Sequence, residues 1–342
     1  MTDVTVEKLN GGTRPRWDAF VRECANGTFF HLSAWSDVLE AETGCASHYL
    51  YAQRDGAIVG VLPLSRVRNL IAGDVLISTP FLVYGGPIGD SEAIRVLVAE
   101  ARRLAVELGV DYLELRNRHP LDGDWQTKNL YVTFRKTLES DVEANLQAIP
   151  RKQRAMVRKG MKAGTEVGWE PDLDTFYSVF SESYRNLGTP VFGKSLFARV
   201  FAAFPEQVWV TTITKDARPL SSVVSFVFRD EILPYYGGSI AAARDYAAND
   251  FMYWVVLERA VERGLRIFDY GRSKLDTGSF HFKRHWGFEP EPLAYQYQLV
   301  HSKELPNLSP TNPKFQLPIE LWKRLPVGVT RVVGPSIARR LA

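Results

Sequence analysis

Along this chain the spacing of apolar residues switches between three-to-four and two, and each switch marks an element. Helical spacing over Arg14 to Glu23 and Ser33 to Glu42 predicts two short helices, the second opened by Ser33 as its cap. His48 to Arg54, Ala57 to Arg66 and Asp74 to Tyr84 alternate or run apolar, as strands do, with Asp55-Gly56 as a hairpin turn. A helix from Glu92 to Leu108 carries Ile94, Leu97, Val98, Ala101, Leu104 and Leu108 on one side. Gly109 ends it before a strand at Val110 to Leu115.

The same order returns later. Val208 to Thr214, Pro219 to Arg229 and Ile232 to Tyr236 read as three strands, the last running into Tyr236-Gly237-Gly238-Ser239. After an Ala-rich loop, Asn249 and Asp250 are placed to cap a helix whose apolar face includes Tyr253, Val256, Leu257, Ala260 and Val261. Gly264 stops that helix, and Arg266 to Tyr270 follows as a buried strand, parallel to the strand before the helix. Tyr84-Gly85-Gly86-Pro87 stands 152 residues before Tyr236-Gly237-Gly238-Ser239, and Glu114 stands 155 before Asp269. An internal duplication explains both offsets.

The join falls near Ser140, where Ser140-Asp141-Val142-Glu143 has capping-box form and Pro150 ends the helix. These breaks divide the chain into domains at 1–139 and 140–300 and a Pro-punctuated tail at 301–342, with Pro306, Pro310, Pro313 and Pro318. Arg151 to Ala163 holds six basic residues and no acid, with Arg151, Arg154, Arg158 and Lys162 on one side at helical spacing. A further helix spans Asp172 to Arg185, ending in the loop Asn186 to Pro190. The tail holds seven Lys or Arg against two Glu and includes Trp322. It reads either as a strap packed over the domains or as a peripheral contact with an anionic membrane surface.

Composition narrows the class. The 342 residues favour two domains, and 45% hydrophobic with 24% charged residues is ordinary for a globular protein. A net charge of +3 does not by itself argue for nucleic acid. Cys24 and Cys45 offer no disulfide framework. The opening residues lack the basic and apolar regions of a signal peptide, so the expected location is cytoplasmic. His281 and His285 are four apart but have no evident third ligand, so no metal is expected. No serine-hydrolase, zinc-protease, P-loop or dinucleotide-binding motif occurs.

Several motifs together resemble a known family: Tyr235-Tyr236-Gly237-Gly238-Ser239, then Gly264 with Phe268-Asp269-Tyr270-Gly271-Arg272, then Phe282-Lys283 with Trp286-Gly287-Phe288. With the basic run from Pro150 to Lys162, they resemble FemAB-type acyltransferases of the GNAT superfamily over residues 15 to 300. Tyr184 to Pro190 and the Pro-Trp tail further resemble a bacterial subgroup tied to exosortase (PEP-CTERM) and exopolysaccharide loci. The resemblance implies an α/β (α+β) fold class: tandem GNAT-like folds, each a mixed, mostly antiparallel sheet with flanking helices. It also implies an N-acyltransferase that moves an acyl or aminoacyl group to an amine, on a peptidoglycan, exopolysaccharide or other envelope precursor, small or lipid-linked. Either acyl-CoA or aminoacyl-tRNA would be the donor. The charged coiled-coil arm of tRNA-dependent relatives is missing, and Ala241-Ala242-Ala243-Arg244 stands where a GNAT pyrophosphate signature would be.

Acyl transfer needs a neutral amine, a held carbonyl and donors for the oxyanion. The resemblance gives Lys283 the oxyanion role, beside Phe282 and Trp286. Asp269 either takes the amine's proton or pairs with Arg272 or Lys283 and orients them. Gly237 and Gly238 permit close backbone approach to a donor, alongside Tyr236, Ser239 and Asn249; equally, the glycines can serve a bulge or strand end. Arg151, Arg154 and Arg158 suit acceptor phosphates, with Arg185 and Asn186 as further acceptor contacts. Two rival readings are a non-catalytic scaffold for polysaccharide machinery, which keeps the fold without the chemistry, and a nucleic-acid surface on the basic helix.

Overall fold

The computed structural model describes residues 3–69, 73–305 and 313–340. Contacts divide it into two units. One comprises Met1–Tyr131, Pro292–Ser309 and Arg339–Ala342; the other comprises Val132–Glu291 and Pro310–Ala338. Of the tail prolines, Pro306 and Pro310 lie outside the described residues. No helix among the described residues is long and apolar enough to cross a membrane.

In the first unit the described strands form two sheets. Thr5–Lys8, Leu50–Arg54, Ala57–Leu62 and Ile88–Gly89 pair in that order. The other sheet runs Ala46–Ser47, Leu64–Asn69, Gly73–Ser78, Tyr112–Asn117, Ala294–Leu299, Gln126–Lys128. Pro63 separates Leu62 from Leu64, so the single strand read from Ala57 to Arg66 is two strands in two sheets. A proline there has no N–H for a ladder. The helix Ser91–Glu107 is capped by Asp90, whose carboxylate accepts the Ala93 N–H at 2.8 Å. It buries Ala93, Leu97, Ala101, Leu104 and Ala105 against Leu113 and Leu115. This crossover makes Val75–Ile77 parallel to Tyr112–Glu114.

The second unit repeats the plan. Val208–Lys215, Arg218–Phe228 and Glu231–Ser239 form an antiparallel meander, the helix Ala248–Glu262 crosses back, and Ile267–Asp269 lies parallel to Glu231–Ile232. The next strand in the sheet is not the one expected. Tyr131–Thr137, which follows the first half in sequence, pairs antiparallel with Ile267–Asp269, while Ala294–Leu299 pairs with Tyr112–Asn117 in the first unit. Each unit thus takes its closing strand from the other half's stretch of sequence, and the expected boundary at 139/140 misses this exchange.

Several ends differ from expectation for local reasons. Ser33 binds Asp18 through both its N–H and its hydroxyl, and the helix starts at Trp35 after Ala34. Asp141, not Ser140, caps Val142–Ala148 by accepting the Ala144 N–H at 2.7 Å. Ala247 at φ 50° opens the crossover helix, so Asn249 and Asp250 lie inside its first turn rather than at its cap. Helices at Lys194–Ala203 and Gly278–His285 were not legible from spacing, and the tail forms helices at Pro313–Arg324 and Val327–Ala338.

Candidate active site

The strand Glu231–Ser239 and its parallel neighbour Ile267–Asp269 pair only at Glu231 and Ile232. Beyond that point they part, because the neighbour ends at Asp269 and the chain turns at Gly271, whose φ is +63°. A Cβ on Gly271 would stand 3.2 Å from Leu233 Cδ1 and 4.0 Å from Tyr235 Cδ2, so this turn lies beside the parting strand. The opening is at the carboxyl ends of two parallel strands, where open α/β sheets take ligands.

Lys283 holds the turn that follows Ile267–Asp269. It stands on the helix Gly278–His285 and is 8% exposed. Its Nζ donates to the Gly271 carbonyl at 2.9 Å and the Arg272 carbonyl at 3.1 Å, and lies 5.5 Å from the Phe134 ring centroid. Burial pushes its pKa down to about 7; Asp269 opposes that shift and Arg272 adds to it. An ammonium has three N–H bonds, so with two held by carbonyls one remains for a developing negative charge.

Asp269 is 1% exposed and fully engaged. Its Oδ1 accepts from the Gly271 N–H at 2.7 Å and the Thr133 hydroxyl at 3.2 Å; its Oδ2 accepts from Arg135 at 2.7 Å. Arg135 also forks onto Glu231 at 2.9 and 2.5 Å. Arg135, which the sequence reading did not name, is an ion partner of Asp269 at 2.7 Å, and the Asp269 carboxylate also holds the N–H of Gly271, whose carbonyl accepts from Lys283. The half-buried Arg272 contributes its carbonyl to Lys283. Arg135, Thr133 and Glu231 were missed. The signal lies in the alternation Thr133-Arg135 on one face of the strand Tyr131–Thr137, inside the stretch read as the first domain, 1–139.

The donor-side residues separate by face. Gly237 and Gly238 point to opposite sides of their strand. A Cβ on Gly237 would meet the Tyr253 hydroxyl at 3.1 Å; one on Gly238 would meet Ser183 Cβ at 2.7 Å. Gly238 is thus small to admit the helix Leu173–Leu187, whereas Gly237 faces the crossover helix. Tyr236 sits in a cluster with Phe180, Phe197 and Phe226 and is a core residue. Ser239 ends the strand opposite Ser221, and Asn249 is half-buried in the crossover helix's first turn. Tyr253, Tyr270, Phe282 and Trp286 pack together on that side, with ring centroids 5.2 to 6.4 Å apart. The Tyr270 hydroxyl is buried there without a hydrogen-bond partner among the described residues.

The basic helix Arg151–Met161 forms as expected. Arg151, Arg154, Arg158, Lys159 and Lys162, with Ala155, line an open cleft of about 460 Å3 that contains no carboxylate. Its other face crosses the crossover helix at the first turn: a Cβ on Gly160 would be 2.5 Å from Phe251 Cβ and 3.0 Å from the Ala247 carbonyl. Gln153 hydrogen-bonds Asp250 at the same crossing. Arg185 is not brought to this cleft; it donates to the Lys323 carbonyl at 3.1 Å in the tail, and Asn186 is exposed beside it.

Residues 151–284 match the family model described as the acetyltransferase (GNAT) domain. The chain has a tandem GNAT fold. Among solved structures FemX shares 16% identity with it at a TM-score of 0.66, covering 87% of this chain and 98% of FemX. The C-terminal domain of a putative lysylphosphatidylglycerol synthetase from Agrobacterium fabrum shares 16% at a TM-score of 0.58, covering 85% and 93%. A tandem GNAT protein from the clavulanic acid biosynthesis pathway shares 13% at 0.54, covering 86% and 98%. No curated protein matches the chain by sequence. In this tandem GNAT chain the parted strands, the glycine turn and the buried lysine all lie in the second unit. In the first unit, the Gly85 and Gly86 N–H groups both donate to the Arg116 carbonyl at 3.1 Å. The strand there ends at Ser78, ahead of turns at Thr79 and Phe81 with φ of 48° and 67°. The gap that stands open in the second unit is therefore bridged in the first.

Proposed function

We propose that the second unit is an N-acyltransferase site that moves an acyl or aminoacyl group onto an amine of a cell-envelope or exopolysaccharide precursor. The observation that carries this reading is Lys283, buried and held by the Gly271 and Arg272 carbonyls at the turn after the shorter of the two parallel strands. In the reaction the amine nitrogen bonds to the acyl carbon, the carbonyl becomes an oxyanion, and the bond to the carrier's sulfur or oxygen then breaks. The amine's proton leaves to solvent or the leaving group. The free N–H of the Lys283 ammonium faces the oxyanion, worth on the order of 10²–10³ in rate for one such donor. Asp269, Arg135 and Thr133 position the turn.

The donor is an acyl-CoA or an aminoacyl-tRNA. A helix start ordinarily welcomes a diphosphate. Here Asp250 lies in the crossover helix's first turn and Gly160 of the basic helix packs over it. Phosphates of either substrate are better placed on Arg151, Arg154 and Arg158 in the open cleft. The envelope acceptor rests on the sequence resemblance, including the exosortase-associated subgroup, and on a structural neighbour named for making lysylphosphatidylglycerol.

Lys283→Ala is expected to lower kcat by about 10²-fold or more while the thermal transition stays cooperative. Because the role requires the ammonium, kcat should fall as pH rises through about 7, and this alkaline limb should vanish in the variant. Unchanged turnover in Lys283→Ala would remove the assignment. A scaffold reading has its own support in the closed setting of Asp269 and the aromatic packing near Gly237. Absence of turnover and of any thermal shift with acyl-CoA, aminoacyl-tRNA or nucleotide sugars would favour it.

A further inference from the structure

The tail helices Pro313–Arg324 and Val327–Ala338 each have an inner and an outer face. The inner faces are anchored on and beside the helix Leu173–Leu187. Gly188 abuts Ile319, Arg185 binds the Lys323 carbonyl, and Trp322 is buried. In the second tail helix Arg331 donates to the Ser181 hydroxyl at 2.7 Å, and Gly334 lies against Val191. The two tail helices therefore pack on the second unit.

Its outer face is not what a finished surface would carry. Of the ten large hydrophobic residues that stand exposed among the described residues, five fall in this short stretch: Leu317, Leu321, Val329, Val332 and Val333. Val332 is 77% exposed and Leu317 70%. Leu317, Leu321 and Arg324 follow one another at i, i+4 and i+7; Val329, Val332 and Val333 stand at i, i+3 and i+4 on the second helix, and Arg340 follows just past its end. Both inner faces point at one helix, so both outer faces turn away from it. The exposed cations Arg324, Arg339 and Arg340 stand at the helix ends, and Glu320, the one acid between residues 313 and 340, is paired with Lys323 at 2.7 Å.

We propose that this outer face docks on an anionic lipid bilayer, with the leucines and valines entering the headgroup boundary and the arginines binding lipid phosphates. Aliphatic residues beside exposed cations fit a surface that offers acyl chains under a negative layer. A second copy fits poorly, because a two-fold contact would set the same arginines against each other. Since no described helix can span a membrane, the contact is peripheral. This inference stands apart from the acyltransfer reading and would hold if Lys283 proved inert.

The test is cosedimentation of the full chain with vesicles of phosphatidylglycerol and phosphatidylcholine, against phosphatidylcholine alone. Binding to the anionic vesicles is expected to fall at least tenfold in Leu321→Glu/Val332→Glu and in Arg339→Glu/Arg340→Glu, and to weaken with salt. Melting temperatures should not change, since all four side chains are exposed. Failure of the native chain to sediment with anionic vesicles, or equal binding by the variants, overturns the proposal. So does a concentration-dependent dimer that the same substitutions dissolve, which would assign the face to a second copy.

Discussion

Asp269 shows how a buried carboxylate is held by donors from several segments. Arg135 joins it to Glu231, and all three groups are largely removed from water. Replacing Arg135 with Met removes the cation that Asp269 and Glu231 share, which costs about 3–5 kcal/mol. Urea unfolding should show that loss, and Asp269→Asn should cost less, because Arg135 keeps Glu231. His31 is the corresponding case in the first unit. It is buried between the Thr28 hydroxyl at 2.8 Å and the Gly86 carbonyl at 2.8 Å, and burial pushes its pKa down to about 4. Between pH 6.5 and 4 the unfolded chain binds the proton and the folded one does not, so stability falls as pH falls, by about 3 kcal/mol in all. His31→Gln should start from a lower melting temperature but lose less of it between pH 7 and 4.5.

At the scale of elements, the basic helix and the crossover helix meet through a missing side chain. Alanine favours a helix over glycine by about 1 kcal/mol, so Gly160→Ala would stabilise an isolated helix. In the folded chain the added carbon would meet Phe251 at 2.5 Å and the Ala247 carbonyl at 3.0 Å, neither of which is a flexible side-chain tip. Overpacking of that kind costs about 1–3 kcal/mol and should win. Equilibrium unfolding is expected to show net destabilisation in Gly160→Ala; a gain in stability would mean that the two helices do not cross there. The crossing also matters to the cleft, because the cations lie on the opposite side of the same short helix.

For the whole molecule the exchanged strands matter most. The strand Tyr131–Thr137 pairs with Ile267–Asp269, and Ser273–Lys274 and Pro290–Pro292 also pair with it. A fragment beginning at residue 140 loses that strand along with Arg135 and Thr133, whereas one beginning at residue 130 keeps them. Only the longer fragment is expected to show a cooperative melt by circular dichroism. Equal melts would refute the strand's structural role. Here the limit of sequence reading is plain. Periodicity located Arg14–Glu23, Ser91–Glu107, Arg151–Met161 and the meander to within a few residues, because an apolar stripe repeats within one element. The parallel crossovers followed from short-range chain geometry. The short helix bearing Lys283 was too brief and too basic to declare itself. Arg135 lies 134 residues from Asp269, and nothing local tells two such groups that they will share a strand pairing. Sequence alone determined the longer helices, the meander and the doubled order of elements. Tertiary structure decided which strands close each sheet, which cation neutralises Asp269 and which glycine serves packing, because those outcomes depend on contacts between distant segments.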